Sequence, residues 1–447
     1  MASVTCMLAD LGYAVTASDD AFHPPMSDVL TAHNILCLKP SVKNLDNVDI
    51  VVVGNTLPSS ALEVVSAREK KIPMVSGSEV LRDILTRGRR SLVVAGTHGK
   101  TTTSSLLTHV FLQNEMSPAY MIGGSFQDTG ESYAIGAPDS QFVIFEGDEY
   151  DCAFFDKAPK FLRYDPTSAI ITSIEHDHID LYPTFEDYVQ TFQFLVDDIP
   201  AGGFLILHKS VLEHLDTSCC HGKVITYGDT SSDLSYTIDS VNASGTIFSL
   251  HYKNRDMFEN IFVPMFGDYN IANASAVFAL ACAEGLRPEK VITALATYPG
   301  VHERQEVLGE RDGVTVMRDF AHHPTAVQVT LEGLHAHYPD HRIVCVFEPR
   351  SITSRKKSFE HIYPEALHSA DISIIVTPPF RPGDNKTDFI DVSVITKTLQ
   401  SSGRTAFSAV NPQDAFAILS IEAKSGDVVV FMSNGDLGGI PEMFLKS

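Results

Sequence analysis

The chain has 447 residues, of which 44% are hydrophobic, and this length and composition predict about three globular domains with apolar cores. The formal net charge of −23 disfavours a nucleic-acid partner, because a strongly acidic protein repels a polyphosphate backbone. A small anion in a local basic pocket is still compatible with this charge, so we expect a small-molecule partner.

The sequence indicates neither a membrane span nor a secretory signal. Its apolar runs are shorter than the roughly 18 residues that cross a bilayer, and the first basic residue is Lys39. The seven cysteines include no C-x-x-C pair, which is typical of reduced thiols. We therefore expect a cytoplasmic protein.

The first part of the chain, residues 1–88, alternates short apolar runs with helical patterns, which predicts parallel βα units. The predicted strands are residues 14–17, 35–38, 50–53 and 72–75.

A central domain is predicted over residues 89–299, and it begins with the sequence SLVVAGTHGKTTT from Ser91 to Thr103. A buried strand at residues 92–95 is followed by a glycine-containing turn and a helix. The backbone N–H groups of such a turn can bind a polyphosphate. Lys100 would add positive charge and Thr101 a hydroxyl ligand for Mg²⁺.

The spacing of this turn is shorter than that of the standard Walker motif. Gly96 precedes Gly99 by three residues, and Val94 stands where the longer motif has glycine. The alternative is that the glycines only make a tight turn. We favour nucleotide phosphate binding, because a strand precedes the turn and an apolar helix face follows it. This face consists of Leu106, Leu107, Val110 and Phe111.

A predicted strand at residues 142–145 leads directly into an acidic stretch that runs from Glu146 to Asp151. Ligands bind at the carboxyl ends of strands in α/β sheets, and carboxylate oxygens suit Mg²⁺. The alternative is a solvated acidic loop. A second polar cluster after another strand, at residues 169–174, favours a binding site.

The second cluster reads EHDHID from Glu175. His176 and His178 could be a zinc pair or simply turn residues, and zinc is disfavoured because no third nitrogen or sulfur ligand is indicated nearby in the sequence. Thr184 and Asp187 are predicted to cap a helix. Its predicted apolar face consists of Phe185, Tyr188, Val189, Phe192, Leu195 and Val196.

Another helix is predicted to begin at the sequence GDYN from Gly267. The amides of Asn270 and Asn273 could contact a purine edge or cap this helix, and capping is the simpler interpretation.

A linker is predicted at Pro299 and Gly300, followed by a third α/β unit over residues 300–447. Asp319 and His322 follow its first predicted strand, and Pro324 suits a helix start. On domain closure, Asp319 and His322 would face the central domain and shield a reactive intermediate from water. The predicted strands are residues 314–317, 343–347, 372–376 and 428–431.

Taken together, these motifs resemble the Mur ligase family, ATP-dependent enzymes that attach amino acids or peptides to UDP-N-acetylmuramate in peptidoglycan synthesis. The matching motifs, which span nearly the whole chain, are GTHGKTTT from Gly96, Glu146, His178 within EHDHID, GDYN from Gly267, Arg304, and DFAHHP from Asp319. The resemblance implies an α/β fold of three domains. These are a truncated Rossmann-like N-terminal domain (1–88), a P-loop ATPase-like central domain (89–299) and a Rossmann-like C-terminal ligase domain (300–447).

The resemblance also implies roles for particular residues. Asn270 and Asn273 would lie near the adenine of ATP, while Arg304 and Asp319 would contact ATP from the linker and the C-terminal domain. His178 would hold a second metal. The phosphates would be bound by Gly96, Thr97, His98, Gly99, Lys100, Thr101 and Thr102. The implied ligands of the first Mg²⁺ are Thr101 and Glu146, and the implied catalytic residues are Lys100, Arg304, Asp319 and His322.

Four further motifs are similar to one branch of the family, which recycles peptidoglycan by joining L-alanyl-γ-D-glutamyl-meso-diaminopimelate to UDP-N-acetylmuramate through an acyl phosphate. They are SDDAFHPPMS from Ser18, DEYDCAFFDK from Asp148, FEPRS from Phe347 and MSNGDLGGI from Met432. The implied partners are UDP-N-acetylmuramate and this tripeptide, and the implied assembly is a monomer or a weak homo-oligomer.

The sequence departs from the family pattern at several places. The family begins with a strand and a glycine-rich turn that hold the uridine diphosphate, whereas this sequence starts within what resembles the following helix, so we expect weaker binding of that moiety. Tyr269 stands where histidine is usual, Arg318 where an acidic residue is common, and Gln193 where several branches carry a modified lysine.

Two other functions are compatible with the sequence. One is ligation of L-alanine in place of the tripeptide. The other is a catalytically weak protein that binds nucleotide or muropeptide, which the departure at the N-terminus motivates.

Overall fold

The computed structural model describes residues 1–23, 26–253, 257–381 and 384–447. The motif SDDAFHPPMS therefore lies partly outside the described residues, at positions 24 and 25. Among the residues that are described, every helix is too short or too polar to cross a membrane.

The N-terminal domain contains two separate pairs of parallel strands, β1 with β2 and β3 with β4. The four strands coincide with the predicted ones to within two residues. Its elements are α1 (Ala2–Asp10), β1 (Thr16–Ser18), α2 (Met26–Ala32), β2 (Leu36–Leu38), β3 (Val51–Val53), α3 (Leu62–Glu69), β4 (Met74–Ser76) and α4 (Gly77–Leu85).

Helices α1 and α4 attach this domain to the rest of the protein. Helix α4 begins with a capping box, in which the Ser76 hydroxyl accepts from the N–H of Glu79 and the Glu79 carboxylate accepts from the N–H of Ser76. The apolar faces of the two helices pack into the same hydrophobic core as Val143 and Phe145 of the central domain.

The central domain is built on one mixed sheet, whose strand order among the described residues is β16–β15–β14–β13–β12–β11–β5–β8–β6–β7. The sheet and the β9–β10 hairpin comprise β5 (Arg90–Ala95), β6 (Ala119–Met121), β7 (Tyr133–Ala134), β8 (Phe142–Glu146), β9 (Asp151–Ala153), β10 (Asp156–Pro159), β11 (Ser168–Ile171), β12 (Phe204–His208), β13 (Lys223–Gly228), β14 (Leu234–Asn242), β15 (Gly245–Tyr252) and β16 (Met257–Val263). The helices are α5 (Lys100–Gln113), α6 (Phe185–Asp198), α7 (Asp268–Ala283) and α8 (Pro288–Leu295).

The predicted strands and helices of this domain are present, and the largest difference from the predicted strand ends is in β11. Strand β11 ends at Ile171 and not at Ile174, because the next side chain, Thr172, turns to bond the carbonyl oxygens of Ala95 and His98. Helix α6 begins as predicted, with the Thr184 hydroxyl accepting from the N–H of Asp187. The antiparallel strands β14 to β16, which extend the sheet, were not predicted.

The C-terminal domain has a second sheet in the order β17–β18–β22–β19–β20–β21, in which only the described strand β17 is antiparallel to its neighbour. Its elements are β17 (Glu306–Arg311), β18 (Val314–Asp319), α9 (Pro324–His337), β19 (Arg342–Phe347), α10 (Tyr363–Ala366), β20 (Ile372–Val376), α11 (Val392–Ser401), β21 (Thr405–Ala409), α12 (Pro412–Glu422), β22 (Asp427–Met432) and α13 (Ile440–Lys446). Pro324 is the first residue of α9, as predicted.

Candidate active site

A cavity of about 870 Å³ lies where the carboxyl ends of the central strands meet the C-terminal domain. Nearly all of the predicted site residues line this cavity. Their individual roles stay predictions. Those that line it are Thr97, His98, Gly99, Lys100, Thr101, Thr102, Glu146, His178, Asn270, Asn273, Arg304, Asp319 and His322. Gly96, the remaining predicted residue, is buried and does not line the cavity.

The turn between β5 and α5 is held by two glycines with positive φ. Gly96 has φ of 130°, and a Cβ atom there would lie 2.2 Å from the hydroxyl oxygen of Thr172. Gly99 has φ of 78°, and a Cβ atom there would lie 2.8 Å from Oδ1 of Asn273. Any side chain at either position would therefore disrupt the turn. The turn leaves the N-terminus of α5 open to the cavity, as a phosphate site requires.

Lys100 is partly buried beside a carboxylate. Its Nζ atom lies 2.8 Å from Oε1 of Glu149 and donates to the carbonyl oxygens of Gly96 and Thr97 at 2.6 and 3.1 Å. Burial alone would lower the pKa of Lys100, but the attraction of Glu149 outweighs it and raises the pKa. The ammonium group is therefore charged at neutral pH.

Glu149 belongs to the acidic stretch after β8, which the sequence predicted to be a metal-binding group. The structure separates these carboxylates: Glu149 faces Lys100, Asp148 bonds Lys160, and only Glu146 approaches Thr101. The pairing of Glu149 with Lys100 was not predicted, because spacing along the chain does not show which carboxylate faces inward.

Thr101 and Glu146 are suitably placed to share a Mg²⁺ ion. The Thr101 hydroxyl donates to Oε1 of Glu146 at 2.8 Å, and the N–H of Gly123 donates to Oε2 at 2.6 Å. A Cβ atom at Gly123 would lie 2.5 Å from the same carboxylate. The oxygen donors are the kind that Mg²⁺ prefers, so these residues fit the implied ion.

His178 lines the same cavity. Its backbone has φ of 51°, its N–H donates to Oδ1 of Asp177 at 2.7 Å, and its ring packs on Tyr150 with centroids 4.4 Å apart. The pKa of Asp177 is lowered well below its usual value: burial opposes this shift, but His178 and the N–H bond outweigh it. His176 does not join His178 in a zinc pair, because its Nε2 contacts the carbonyl oxygen of Tyr182 at 2.9 Å.

The two asparagines of α7 do not cap the helix, so the capping interpretation was wrong. Gly267 is the N-cap residue and offers no side-chain acceptor. The amide of Asn270 donates to the carbonyl oxygen of Phe266 at 3.0 Å, and the amide of Asn273 lies 3.4 Å from Oδ1 of Asn270. Both side chains line the cavity, where they can contact a ligand, and Asn273 also faces the turn at Gly99.

Three predicted residues enter the cavity from the linker and the C-terminal domain. Arg304 reaches the Thr101 hydroxyl at 3.3 Å, and its guanidinium stacks 4.3 Å from the ring centroid of Phe320. Asp319 accepts from the N–H groups of Gln305 and Ala321, and burial raises its pKa. Burial lowers the pKa of His322, whose Nδ1 lies 3.0 Å from the carbonyl oxygen of Phe320.

A further group of side chains joins the two domains beside the phosphate loop. Glu175 lies 3.3 Å from Nε2 of His98 and 3.8 Å from Nδ1 of His323, and it accepts from the Thr325 hydroxyl. Burial opposes ionisation of Glu175, but His98 and Thr325 lower its pKa to about 2. Burial lowers the pKa of His323 to about 4. The sequence did not predict this group, because its members are far apart along the chain.

The residues that depart from the family pattern all have local partners. Gln193 lies outside the cavity wall and bonds the backbone of Asp216 in both directions. Arg318 is paired with Glu442. Tyr269 lines the cavity, and its hydroxyl accepts from the amide of Gln305 at 2.6 Å. Gln305 was not predicted, and only its position directly after Arg304 could have suggested it.

Two of the distinguishing motifs, FEPRS and MSNGDLGGI, meet at the C-terminal wall of the cavity. They follow β19 and β22, which are neighbouring parallel strands. Buried Glu348 accepts from the Ser433 hydroxyl at 2.9 Å, and Arg350 contacts both Glu348 and Asp436. Asn434 lines the cavity, and its buried Oδ1 atom has no hydrogen-bond partner among the described residues.

Two family models match the chain. Residues 94–281 match the Mur ligase middle domain, and residues 303–435 match the glutamate ligase domain of Mur ligases. The two matches contain the predicted site residues of the central and C-terminal domains.

Relatives with different named acceptors are similarly close. A UDP-N-acetylmuramate–L-alanine ligase of Desulfosudis oleivorans is 31% identical over 100% of this chain and 95% of its own. The UDP-N-acetylmuramate–L-alanyl-γ-D-glutamyl-meso-2,6-diaminoheptandioate ligase of Escherichia coli is 30% identical with the same coverage. The crystal structure of a murein peptide ligase from Psychrobacter arcticus has a TM-score of 0.72 at 26% identity, covering 100% of this chain and 96% of that one. The chain therefore belongs to the Mur ligase family, whose members are ATP-dependent ligases that form amide C–N bonds.

Proposed function

We propose that the chain joins L-alanyl-γ-D-glutamyl-meso-diaminopimelate to the lactyl carboxylate of UDP-N-acetylmuramate, as a step of peptidoglycan recycling. Relatives named for alanine and for the tripeptide are about equally similar, so the choice of acceptor rests on the cavity wall. The observation that carries it is the meeting of FEPRS and MSNGDLGGI at that wall.

The polar character of this wall suits the longer acceptor. The tripeptide carries three carboxylates and two amide groups, whereas alanine carries one carboxylate. Asn434 has a buried carbonyl oxygen that can accept from a peptide N–H group, and Arg350, which pairs with Glu348 and Asp436, supports the two loops behind this wall. Ser351 and Thr353 add hydroxyl groups to the same wall.

The proposed reaction has two steps. The lactyl carboxylate attacks the γ-phosphorus of ATP, so that ADP leaves and an acyl phosphate forms. The tripeptide amine then attacks the acyl carbon, losing a proton and expelling phosphate. Lys100 and Arg304 offset the charge on the transferred phosphoryl group, and Asp319 fixes the linker through the N–H of Gln305.

A divalent cation is expected with the nucleotide because the cavity is acidic. Among the described residues of its wall, Lys100 and Arg304 are the only lysine or arginine residues, against eight aspartates and glutamates. We propose that Thr101 and Glu146 hold Mg²⁺ and that His178 approaches a second ion. The metal supplies positive charge that lowers repulsion between the phosphates and the attacking carboxylate.

We also propose that the domains span residues 1–88, 89–299 and 300–447, and that the protein works in the cytoplasm, where ATP is available. All seven cysteines are described and free, in keeping with that compartment.

The acceptor can be tested by phosphate release from ATP with Mg²⁺, UDP-N-acetylmuramate and either tripeptide or alanine. We expect kcat/KM for the tripeptide to exceed that for alanine by about 100-fold or more. Lys100→Ala is the control for background hydrolysis. A preference for alanine would assign the alternative ligase activity, and wild-type turnover no faster than that of Lys100→Ala would favour a binding protein.

A further inference from the structure

Three metal-ligating side chains converge at the boundary between the central and C-terminal domains. His98 lies in the phosphate loop, Glu175 follows β11, and His323 is the N-cap residue of α9. Their nearest donor atoms all lie within 4.8 Å of one another. None of the three belongs to the proposed Mg²⁺ ligands Thr101, Glu146 and His178.

The distances between these donor atoms are close to those between ligands of a single metal ion. With metal–ligand bonds of about 2.0–2.2 Å, the donors of a tetrahedral Zn²⁺ site lie about 3.3–3.6 Å apart. Here, Oε2 of Glu175 is 3.3 Å from Nε2 of His98 and 3.8 Å from Nδ1 of His323. Small side-chain rotations would therefore place all three donors around one ion.

One of the three donor atoms lacks a hydrogen bond in the described part of the structure. Nδ1 of His323 is buried and makes no hydrogen bond within the described chain. A buried nitrogen without a hydrogen bond is unfavourable, and this one lies 3.8 Å from Oε2 of Glu175. A metal ion would satisfy it.

The backbone around each ligand is fixed, as a pre-organised site requires. The N–H of His98 donates to the Ser173 hydroxyl, and its carbonyl oxygen accepts from Thr172. The Thr325 hydroxyl donates to Oε2 of Glu175 at 2.7 Å and so orients the carboxylate. His323 is held at the start of α9.

We propose that His98, Glu175 and His323 bind one Zn²⁺ ion, which bridges the central and C-terminal domains with its fourth position open to the cavity. Two imidazole nitrogens and one carboxylate oxygen are a donor set typical of zinc, whereas Mg²⁺ prefers oxygen ligands. An ion at this position ties the phosphate loop to the N-terminus of α9.

The test uses the full-length, metal-free protein with Cys219→Ser, because the exposed thiol of Cys219 is a competing zinc ligand. Zn²⁺ is titrated in competition with a chromogenic chelator. We expect one ion per chain, not displaced by excess Mg²⁺. His323→Gln should weaken binding by at least about tenfold, and Thr325→Val, which keeps all three ligands, by about tenfold. His335→Gln, on the same helix and one-third exposed, is the matched control.

Replacing Zn²⁺ with Co²⁺ gives an independent measurement on protein that keeps all three proposed ligands. The strong visible absorption of four-coordinate Co²⁺ is expected, without the near-ultraviolet band of a thiolate ligand. Zinc affinity that is unchanged in His323→Gln and Thr325→Val would overturn the proposal. A Co²⁺ spectrum without four-coordinate absorption would also overturn the proposal. The three residues would then be an ion-pair group between the two domains.

Discussion

Lys100 shows how a single partly buried residue is prepared for a charged ligand. Glu149 keeps the ammonium group charged in a cavity that would otherwise favour its neutral form. The carbonyl oxygens of Gly96 and Thr97 hold it over the loop. Phosphate oxygens can replace these carbonyls as acceptors while Glu149 stays in place, so a ligand can bind without Lys100 losing its charge partner.

His322 is the residue that we expect to take the proton from the acceptor amine. Burial lowers its pKa, so the ring is neutral, and its Nδ1–H donates to Phe320. The Nε2 lone pair is then available as a base. We predict that His322→Asn lowers the rate of tripeptide ligation by about 10²–10⁴-fold. The measurement is amide formation under single-turnover conditions.

Hydroxylamine separates this function from formation of the acyl phosphate, because it is uncharged at neutral pH and attacks without a base. His322→Asn should therefore retain hydroxamate formation, and His335→Asn should retain both reactions. Equal losses of hydroxamate and amide in His322→Asn would contradict the assignment and place His322 in phosphoryl transfer.

At the scale of helices and strands, local patterns predicted the parallel strands and the polar residues that follow them. The residues after β5, β8 and β11 meet because these strands are neighbours in the sheet, and parallel strands carry their carboxyl ends at one edge. The antiparallel strands β14 to β16 lacked the local pattern that predicted the parallel strands, because the outer face of these strands is polar and exposed. Contacts between distant segments, such as Gln305 with Phe266, depend on domain placement and were likewise missed.

Helix α5, which follows the phosphate loop, is anchored to the segment directly after α8 by a buried histidine. Nε2 of His109 lies 3.0 Å from the Thr297 hydroxyl, and its ring packs edge-on against Tyr298. Burial lowers the pKa of His109 below 6.5. The unfolded chain therefore binds a proton at a higher pH than the folded protein, and stability falls as the pH falls through 6.5.

We predict that His109→Gln reduces the loss of thermal stability on acidification. The glutamine amide can still bond Thr297 but does not titrate. The measurement is the change in Tm between about pH 7.5 and about pH 5.5, which should be smaller in the variant than in the wild type. His335→Gln, at a histidine that is one-third exposed, should keep the wild-type change. An equal change in Tm for His109→Gln and the wild type would show that protonation of His109 does not affect stability.

At the scale of the whole molecule, the short connection after residue 300 determines how the C-terminal domain meets the cavity. Glu303 and Gln305 both have positive φ, of 63° and 46°. Such backbone is unfavourable for these residues and persists only where neighbouring contacts hold it. Here the N–H of Gln305 donates to Asp319, and the N–H of Phe320 donates to the carbonyl oxygen of Glu303.

The side chain of Gln305 extends this connection to the central domain. Its amide donates to the carbonyl oxygen of Phe266 at 2.9 Å and to the hydroxyl of Tyr269 at 2.6 Å, directly before and within α7. Gln305 directly precedes β17, the first strand of the C-terminal sheet. Its side chain therefore connects this sheet to helix α7, which faces the phosphate loop. We infer that it stabilises the closed arrangement in which Arg304 reaches Thr101.

We predict that Gln305→Ala raises KM for ATP by about tenfold while kcat at saturating ATP changes by less than about threefold. The two hydrogen bonds that the Gln305 amide donates, at about 1 kcal/mol each, favour the closed state, and their loss lowers the population of that state before ATP binds. Saturating ATP restores that population, so the chemical step is little affected. Gln328→Ala is the matched control, because its amide bonds Glu332 within α9 and not another domain. A fall in kcat with unchanged KM would instead place Gln305 in the chemical step, since domain closure would then not limit binding of ATP.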